Sequence, residues 1–213
     1  MSAVTTGAIY RLLPAPEGAP APPPVLALHG TGGDENDLLP LAREVAPGRA
    51  ILSPRGAVSE NGMNRFFRRF PDGRLDEDDL RRRAGALARF VEEARARHGL
   101  AKPVALGFSN GANIAAAVLQ LHPEALAGAA LLRPMLTLRG EASAPLAGVP
   151  VLILSATNDV YASVPETRAL AARLEAGGAA VEHHVLPAEH GLTPRDVALA
   201  ASWFARAGAN PRG

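Results

Sequence analysis

Short apolar runs of strand length alternate with longer amphipathic segments along most of this chain, and that rhythm limits the folds open to it more than any other feature. Val25–Leu28, Ala50–Ser53, Val104–Phe108, Ala129–Leu132, Val149–Leu154 and Val181–Leu186 are the strand-sized runs. The first five are continuously apolar or nearly so, as strands covered on both faces are, while the last carries Glu182, His183 and His184. Between them lie segments with helical spacing. Leu38 to Val45 is a short one, and Leu80, Ala84, Leu87, Val91 and Ala94 mark a long one. Asn110–Leu121 is a third, rich in small residues. Strands alternating with helices predict an α/β fold, a mostly parallel central sheet with helices on both faces. A chain of 213 residues, 47% apolar, suits one such domain spanning residues 1–213.

The helix ends carry their own punctuation. Asp76 to Asp79 open the long helix, and Arg95, Arg97 and His98 close it before Gly99, a charge order that suits the helix dipole. Ser163 and Glu166 have capping-box spacing before a helix that stops at Gly177-Gly178. Thr193-Pro194 opens the last helix. Pro14 to Pro24 reads as a loop after a first strand at about Ala8 to Leu13, and residues 57–75 read as a polar and aromatic loop.

Charge and composition narrow the partners. With 22 basic and 21 acidic residues the net charge is +1, so no strong field draws the chain to nucleic acid or an anionic membrane. There is no cysteine, which removes disulfides, thiolate metal sites and a Cys nucleophile. Met1 to Tyr10 lacks the pattern of a signal peptide, and a cytoplasmic location is the expectation. The sequence leaves a homodimer open.

In parallel sheets the chemistry gathers beyond the carboxyl ends of the strands. Gly107-Phe108-Ser109-Asn110-Gly111 matches G-x-S-x-G and falls between a strand and a helix. That context sets it apart from an ordinary Gly-rich turn with Ser as a helix cap, and marks Ser109 as a nucleophile held on a sharp turn. A serine hydroxyl needs a base. Of the six histidines, His190 follows the last strand on the same side of the sheet. His183 and His184 lie within that strand, His98 and His122 end helices, and His29 is placed to hold the loop after its own strand. Asp159, past the strand Val149–Leu154, is the carboxylate placed to orient His190. Glu166 and Asp196 read instead as first-turn helix acids. The loop His29-Gly30-Thr31-Gly32-Gly33 can offer the Thr31 N–H to an oxyanion, with the Asn110 N–H as second donor. No metal spacing and no nucleotide fingerprint appears, so no cofactor is expected.

These segments carry a resemblance to a known family. The order Ser, Asp, His is that of α/β hydrolases. Leu28 to Glu35, Gly107 to Asn113, Thr157-Asn158-Asp159 and Glu189 to Leu192 resemble the phospholipase/carboxylesterase family, relatives of the acyl-protein thioesterases. Gly62 to Arg69 resembles a bacterial branch of it, some of whose members are described as hydrolases linked to quinone or aromatic stress. Val160 stands where many relatives have Pro after the acid. The resemblance implies a serine hydrolase acting on small or short-acyl esters through an acyl-enzyme, and thioesters or lactones are the alternatives. A binding module that has lost activity is the reading from another class, and an intact triad speaks against it. The short 135–149 segment leaves no room for a lid domain. Gly32, Phe66, Phe67 and Met135 are the candidate pocket residues, with core packing the other reading of the Phe66, Phe67 and Phe70 cluster. Arg65, Arg68 and Arg69 are either solvated or favour an acidic substrate.

Overall fold

The computed structural model describes residues 7–16, 22–139 and 143–207. Residues 1–6 of the N-terminal segment, 17–21 of the Pro-rich segment and 140–142 of the stretch before Val149 lie outside them. Nine strands and five α-helices alternate among the described residues: β1 (Tyr10–Leu13), β2 (Val25–Leu28), α1 (Leu39–Val45), β3 (Ile51–Pro54), β4 (Val58–Glu60), β5 (Met63–Arg65), α2 (Glu77–His98), β6 (Val104–Phe108), α3 (Asn110–Leu121), β7 (Gly128–Leu132), β8 (Pro150–Ala156), α4 (Val164–Ala176), β9 (Ala180–Leu186) and α5 (Pro194–Ala207). Seven of the strands form one sheet in the order β1-β3-β2-β6-β7-β8-β9. Every pairing in it is parallel except β1 with β3.

Successive side chains of each central strand go to opposite faces. Leu26, Leu28, Ala105, Leu131, Val151 and Ile153 join the core beneath α2, α3 and α4. Their neighbours Val25, Ala27, Leu106, Leu132, Leu152 and Leu154 join the core beneath α1 and α5. Both faces are therefore dry, which explains why these strands read as unbroken apolar runs. Each fully buried Leu, Ile or Val there contributes about 1.5–3 kcal/mol. Helix α3 is buried almost all round, and Ala112, Ala115, Ala116 and Ala117 let it lie close to the sheet.

The expected caps form. Asp79 N–H donates to the Asp76 side chain, Gly99 closes α2 in the left-handed region (φ 63°), and Ser163 and Glu166 complete their capping box. One expectation is corrected. Residues 57–75 are not loop throughout, because β4 and β5 form an antiparallel hairpin there. Its turn is Asn61-Gly62, with φ of 52° and 79°. Two consecutive positive φ values suit the twist of a tight hairpin, and Asn-Gly is the pair that tolerates them best. Between β7 and β8 the described residues form no further helix or strand, so no lid is evident. Among the described residues no helix is long and apolar enough to cross a membrane.

Candidate active site

Ser109 is the single residue between β6 and α3, at φ 52° and ψ −111°. A non-glycine residue in that region is strained, and strain of this kind persists only where surrounding structure enforces it. Two backbone bonds do so here: Ser109 N–H donates to Leu132 O (2.9 Å), and Asn113 N–H donates to Ser109 O (2.9 Å). The flanking glycines serve a different purpose from the turn itself. Neither Gly107 nor Gly111 has a positive φ. A Cβ on Gly107 would stand 2.5 Å from Gly111 O, and one on Gly111 would stand 1.9 Å from Leu28 O. The motif thus needs glycine for close approach, and the serine bears the strain.

The three candidate residues for nucleophile, base and acid meet. His190 Nε2 lies 2.9 Å from Ser109 Oγ. His190 Nδ1 lies 2.8 Å from Asp159 Oδ2 and 3.0 Å from Oδ1. A carboxylate only accepts, so Nδ1 carries the proton and Nε2 is free to accept from the serine hydroxyl. Asp159 also accepts from the Tyr161 N–H (2.8 Å) and the Ala162 N–H (3.3 Å), which fixes its plane. Its side chain is 1% exposed, against 23% for His190. The imidazole is held between rings, with Phe108 at 5.3 Å and Tyr161 at 4.7 Å between centroids.

The loop after β2 reaches the same place. Gly32 N–H donates to Asn64 O (2.9 Å) and Gly33 N–H to Gly30 O (3.2 Å). The Thr31 N–H has no acceptor among the described residues. The β4–β5 hairpin buttresses this loop. Asn64 Nδ2 donates to Gly33 O (2.9 Å), Arg65 Nη1 donates to Thr31 Oγ1 (3.0 Å), and Phe66 N–H donates to Asn110 Oδ1 (2.7 Å). His29 holds the loop from below. Its Nδ1–H donates to Gly30 O (2.6 Å), and its Nε2 accepts the Gly56 N–H (2.9 Å). Burial lowers the His29 pKa from its ordinary 6.5, against the raising effect of the Gly30 carbonyl and nearby acids.

That shift gives a pH prediction. A histidine whose folded pKa is depressed leaves the folded state with fewer bound protons than the unfolded one at acid pH. Its contribution to stability is fully present above the unfolded value of 6.5 and is lost as pH falls toward the folded value. His183, also depressed by burial, acts with the same sign. The urea midpoint should therefore fall between about pH 7 and about pH 5, and His29→Gln should flatten part of that fall. An unchanged slope in His29→Gln would contradict the assignment.

Several residues of the site escaped the sequence reading. Arg133, just past β7, is wholly buried at φ 56°. Its guanidinium donates to the carbonyls on both sides of His190, Glu189 O (3.2 Å) and Gly191 O (3.0 Å). It also donates to Leu154 O (3.2 Å) and makes a bidentate pair with Asp196 at 2.7 and 2.9 Å. Asp196 is thus more than a helix-opening acid. Burial opposes its charge, but the Arg133 and Thr193 hydrogen bonds outweigh that and hold its pKa below the ordinary aspartate value. Asp196→Asn leaves the Arg133 charge buried without a counter-charge. The expected cost is about 3–5 kcal/mol of stability, measured by urea unfolding, and a loss under about 1 kcal/mol would contradict it.

The candidate pocket residues separate. Phe66 and Phe67 are core residues, 6% and 0% exposed, with Phe66 against the His29 ring at 4.7 Å. Neither they nor Gly32 line the large cavity beside the site, which has a volume of about 650 Å³. Phe70, Met135, Leu136, Val160 and Tyr161 line it on the apolar side. Met135 is fixed by its N–H to Asn113 Oδ1 (2.7 Å), and Tyr161 is the ring against His190, so the cavity and the Ser109–His190 pair share a wall. Arg65 is not solvated: it is 6% exposed and paired with Glu60 (3.2 Å).

A parallel sheet in this order, with serine alone on the turn from strand to helix, is the architecture of an α/β hydrolase. Comparison with known proteins agrees. Residues 23–163 match the family model described as the alpha/beta hydrolase fold. MhqD of Bacillus subtilis (strain 168), which carries a hydrolase designation, is 40% identical over 185 residues, 86% of this chain and 92% of MhqD. The crystal structure of a Bacillus cereus carboxylesterase is 41% identical with a TM-score of 0.91, over 95% of this chain and 96% of that one. A carboxylesterase from Mesorhizobium loti is 35% identical with a TM-score of 0.86, over 93% and 94%. The chain belongs to the carboxylesterase group of the α/β-hydrolase family and is an esterase-type hydrolase.

Proposed function

We propose that this hydrolase cleaves carboxylic esters of small or short-acyl substrates through an acyl-enzyme on Ser109. The observation that carries the reading is the unbroken relay from Ser109 Oγ to His190 (2.9 Å) and from His190 to Asp159 (2.8 Å). Ser109 Oγ attacks the ester carbonyl as His190 Nε2 takes its proton. The carbonyl oxygen gains negative charge and receives the Thr31 and Asn110 N–H donors, Asn110 standing at the N-terminus of α3. Collapse of the tetrahedral intermediate expels the alcohol, which takes the proton back from His190. Water then repeats the sequence on the acyl-serine and releases the acid. Asp159 keeps the imidazole in the useful tautomer and balances its transient charge.

A fluorophosphonate probe tests the nucleophile directly. One equivalent should attach, and peptide mapping should find it on Ser109. Label on another residue, or none, would overturn the reading. A panel of esters, thioesters and lactones then ranks the acyl groups, and kcat/KM highest for a thioester or lactone would replace ester hydrolysis by that activity on the same residues.

A further inference from the structure

We infer that the 650 Å³ cavity beside the triad binds a carboxylate carried by the substrate, and that Arg69 is the residue that recognises it. The inference rests on the ester-hydrolase reading above and adds the substrate class: small esters bearing a second, free acid group.

Cavity and triad meet at Tyr161, which lines the one and packs against the imidazole of the other. The His190 and Tyr161 rings lie 4.7 Å apart between centroids, and the Arg69 guanidinium lies 5.4 Å from the Tyr161 centroid on the cavity side. Met135, Leu136 and Tyr161 give the cavity an apolar wall that suits a short hydrocarbon spacer. The other walls are charged, and the pairing among those charges decides what they can bind.

The acids of the walls already have partners. Asp72 pairs with Arg74 (2.7 Å), Asp76 with Arg68 (2.9 Å) and Asp78 with Arg81 (2.9 Å). Glu77 pairs with Arg81 (3.8 Å) and accepts the Arg139 N–H (2.9 Å), while Glu166 pairs with the Arg139 side chain. Arg69 differs from these guanidinium groups. It makes no ion pair among the described residues. Its Nε–H donates to Gly73 O (2.6 Å), which fixes the plane of the fork and leaves the two Nη groups for another acceptor. Glu60 accepts the Arg69 backbone N–H (3.4 Å), but its carboxylate is taken by Arg65. An arriving carboxylate thus meets one half-buried, preoriented cation not already neutralised. Arginine's fork matches a carboxylate in two-point geometry, and the Tyr161 face beneath it supports the charge. A free amine would meet acids that each already face a guanidinium, Glu77 and Asp78 sharing that of Arg81.

The test compares matched esters with wild-type and variant enzyme. One pair places a free carboxylate or a neutral primary carboxamide at the far end of the acyl group. The other pair places the same two groups on the alcohol. Spacers of about two to six carbons cover the reach of the cavity. The readout is the ratio of kcat/KM for the acid over its neutral partner, which cancels any loss of folded enzyme. Wild type should prefer the acid about tenfold in at least one pair, and the preference should shrink with added salt. Arg69→Met and Arg69→Gln should bring the ratio to about one, and Arg69→Lys should keep part of it. A wild-type ratio near one in both pairs, or a ratio that Arg69→Met leaves unchanged, overturns the inference. Enzyme that takes no ester and no fluorophosphonate would overturn the hydrolase reading and this one with it. Enzyme that labels at Ser109 yet shows no acid preference overturns this one alone.

Discussion

Ser109→Ala should abolish ester hydrolysis, with a loss on the order of 10⁴-fold or more in kcat/KM. The fold should survive the change. The hydrogen bonds that hold the turn are made by the Ser109 backbone, to Leu132 O and from the Asn113 N–H, whereas among the described residues Oγ bonds only His190. Alanine at φ 52° is about as strained as serine, so the strain remains and only the nucleophile goes. Residual activity should come from the oxyanion donors and from binding, which Ala leaves in place. Thermal unfolding alongside steady-state kinetics checks both halves. Activity within tenfold of wild type, in protein that unfolds normally, would remove Ser109 from its role.

The main sheet was legible because burial on both faces leaves a mark that local sequence can carry. The runs at Val25–Leu28 and Val104–Phe108 need no partner in view to be read as central strands. The meeting of Ser109, Asp159 and His190 was legible for a related reason. Each follows a strand, and the carboxyl ends of parallel strands gather in one place. What stayed hidden depends on contacts between distant parts of the chain. Arg133 holds residues 189, 191 and 196, and no periodicity links an arginine to carbonyls more than fifty positions away. The hairpin at 58–65 is a different case. Its signal, Asn61-Gly62, was present, but three-residue strands are too short to show alternation. Phe66 and Phe67 were ambiguous because apolar character alone does not say whether a ring faces a cavity or a core.

The glycines of the G-x-S-x-G segment act through close approach and not through the strain of the turn. The strained residue of the turn is Ser109, since neither Gly107 nor Gly111 has a positive φ. Their lack of a side chain brings α3 against the end of β2, where even one carbon at Gly111 would sit on Leu28 O. That contact sets the start of α3, and so the Asn110 N–H, beside the loop that carries Thr31. The glycines therefore position the Asn110 N–H, a proposed oxyanion donor, as much as Ser109, the proposed nucleophile.

Asp159→Asn should lower turnover by about 10²- to 10⁴-fold with little change in substrate binding. Two geometric facts make the change specific. Asp159 takes the His190 Nδ1 proton at 2.8 Å, and it is anchored from the other side by the Tyr161 and Ala162 N–H groups. Asn can satisfy those backbone donors only with its oxygen. The amide NH₂ then faces His190 and demands an acceptor at Nδ1, which moves the ring proton to Nε2 and blocks uptake of the serine proton. The loss should therefore appear in kcat and leave KM nearly unchanged. Glu166→Gln is the control, read with a neutral ester, because Glu166 serves the capping box of α4 and the Arg139 pair and makes no hydrogen bond to His190 or Asp159 among the described residues. It should cost stability and spare turnover. Asp196→Asn is not a silent control, since Asp196 holds the Arg133 side chain that grips both carbonyls flanking His190. A larger fall in kcat for Glu166→Gln than for Asp159→Asn would mean that the orienting acid lies elsewhere, while Ser109 and His190 would keep their roles.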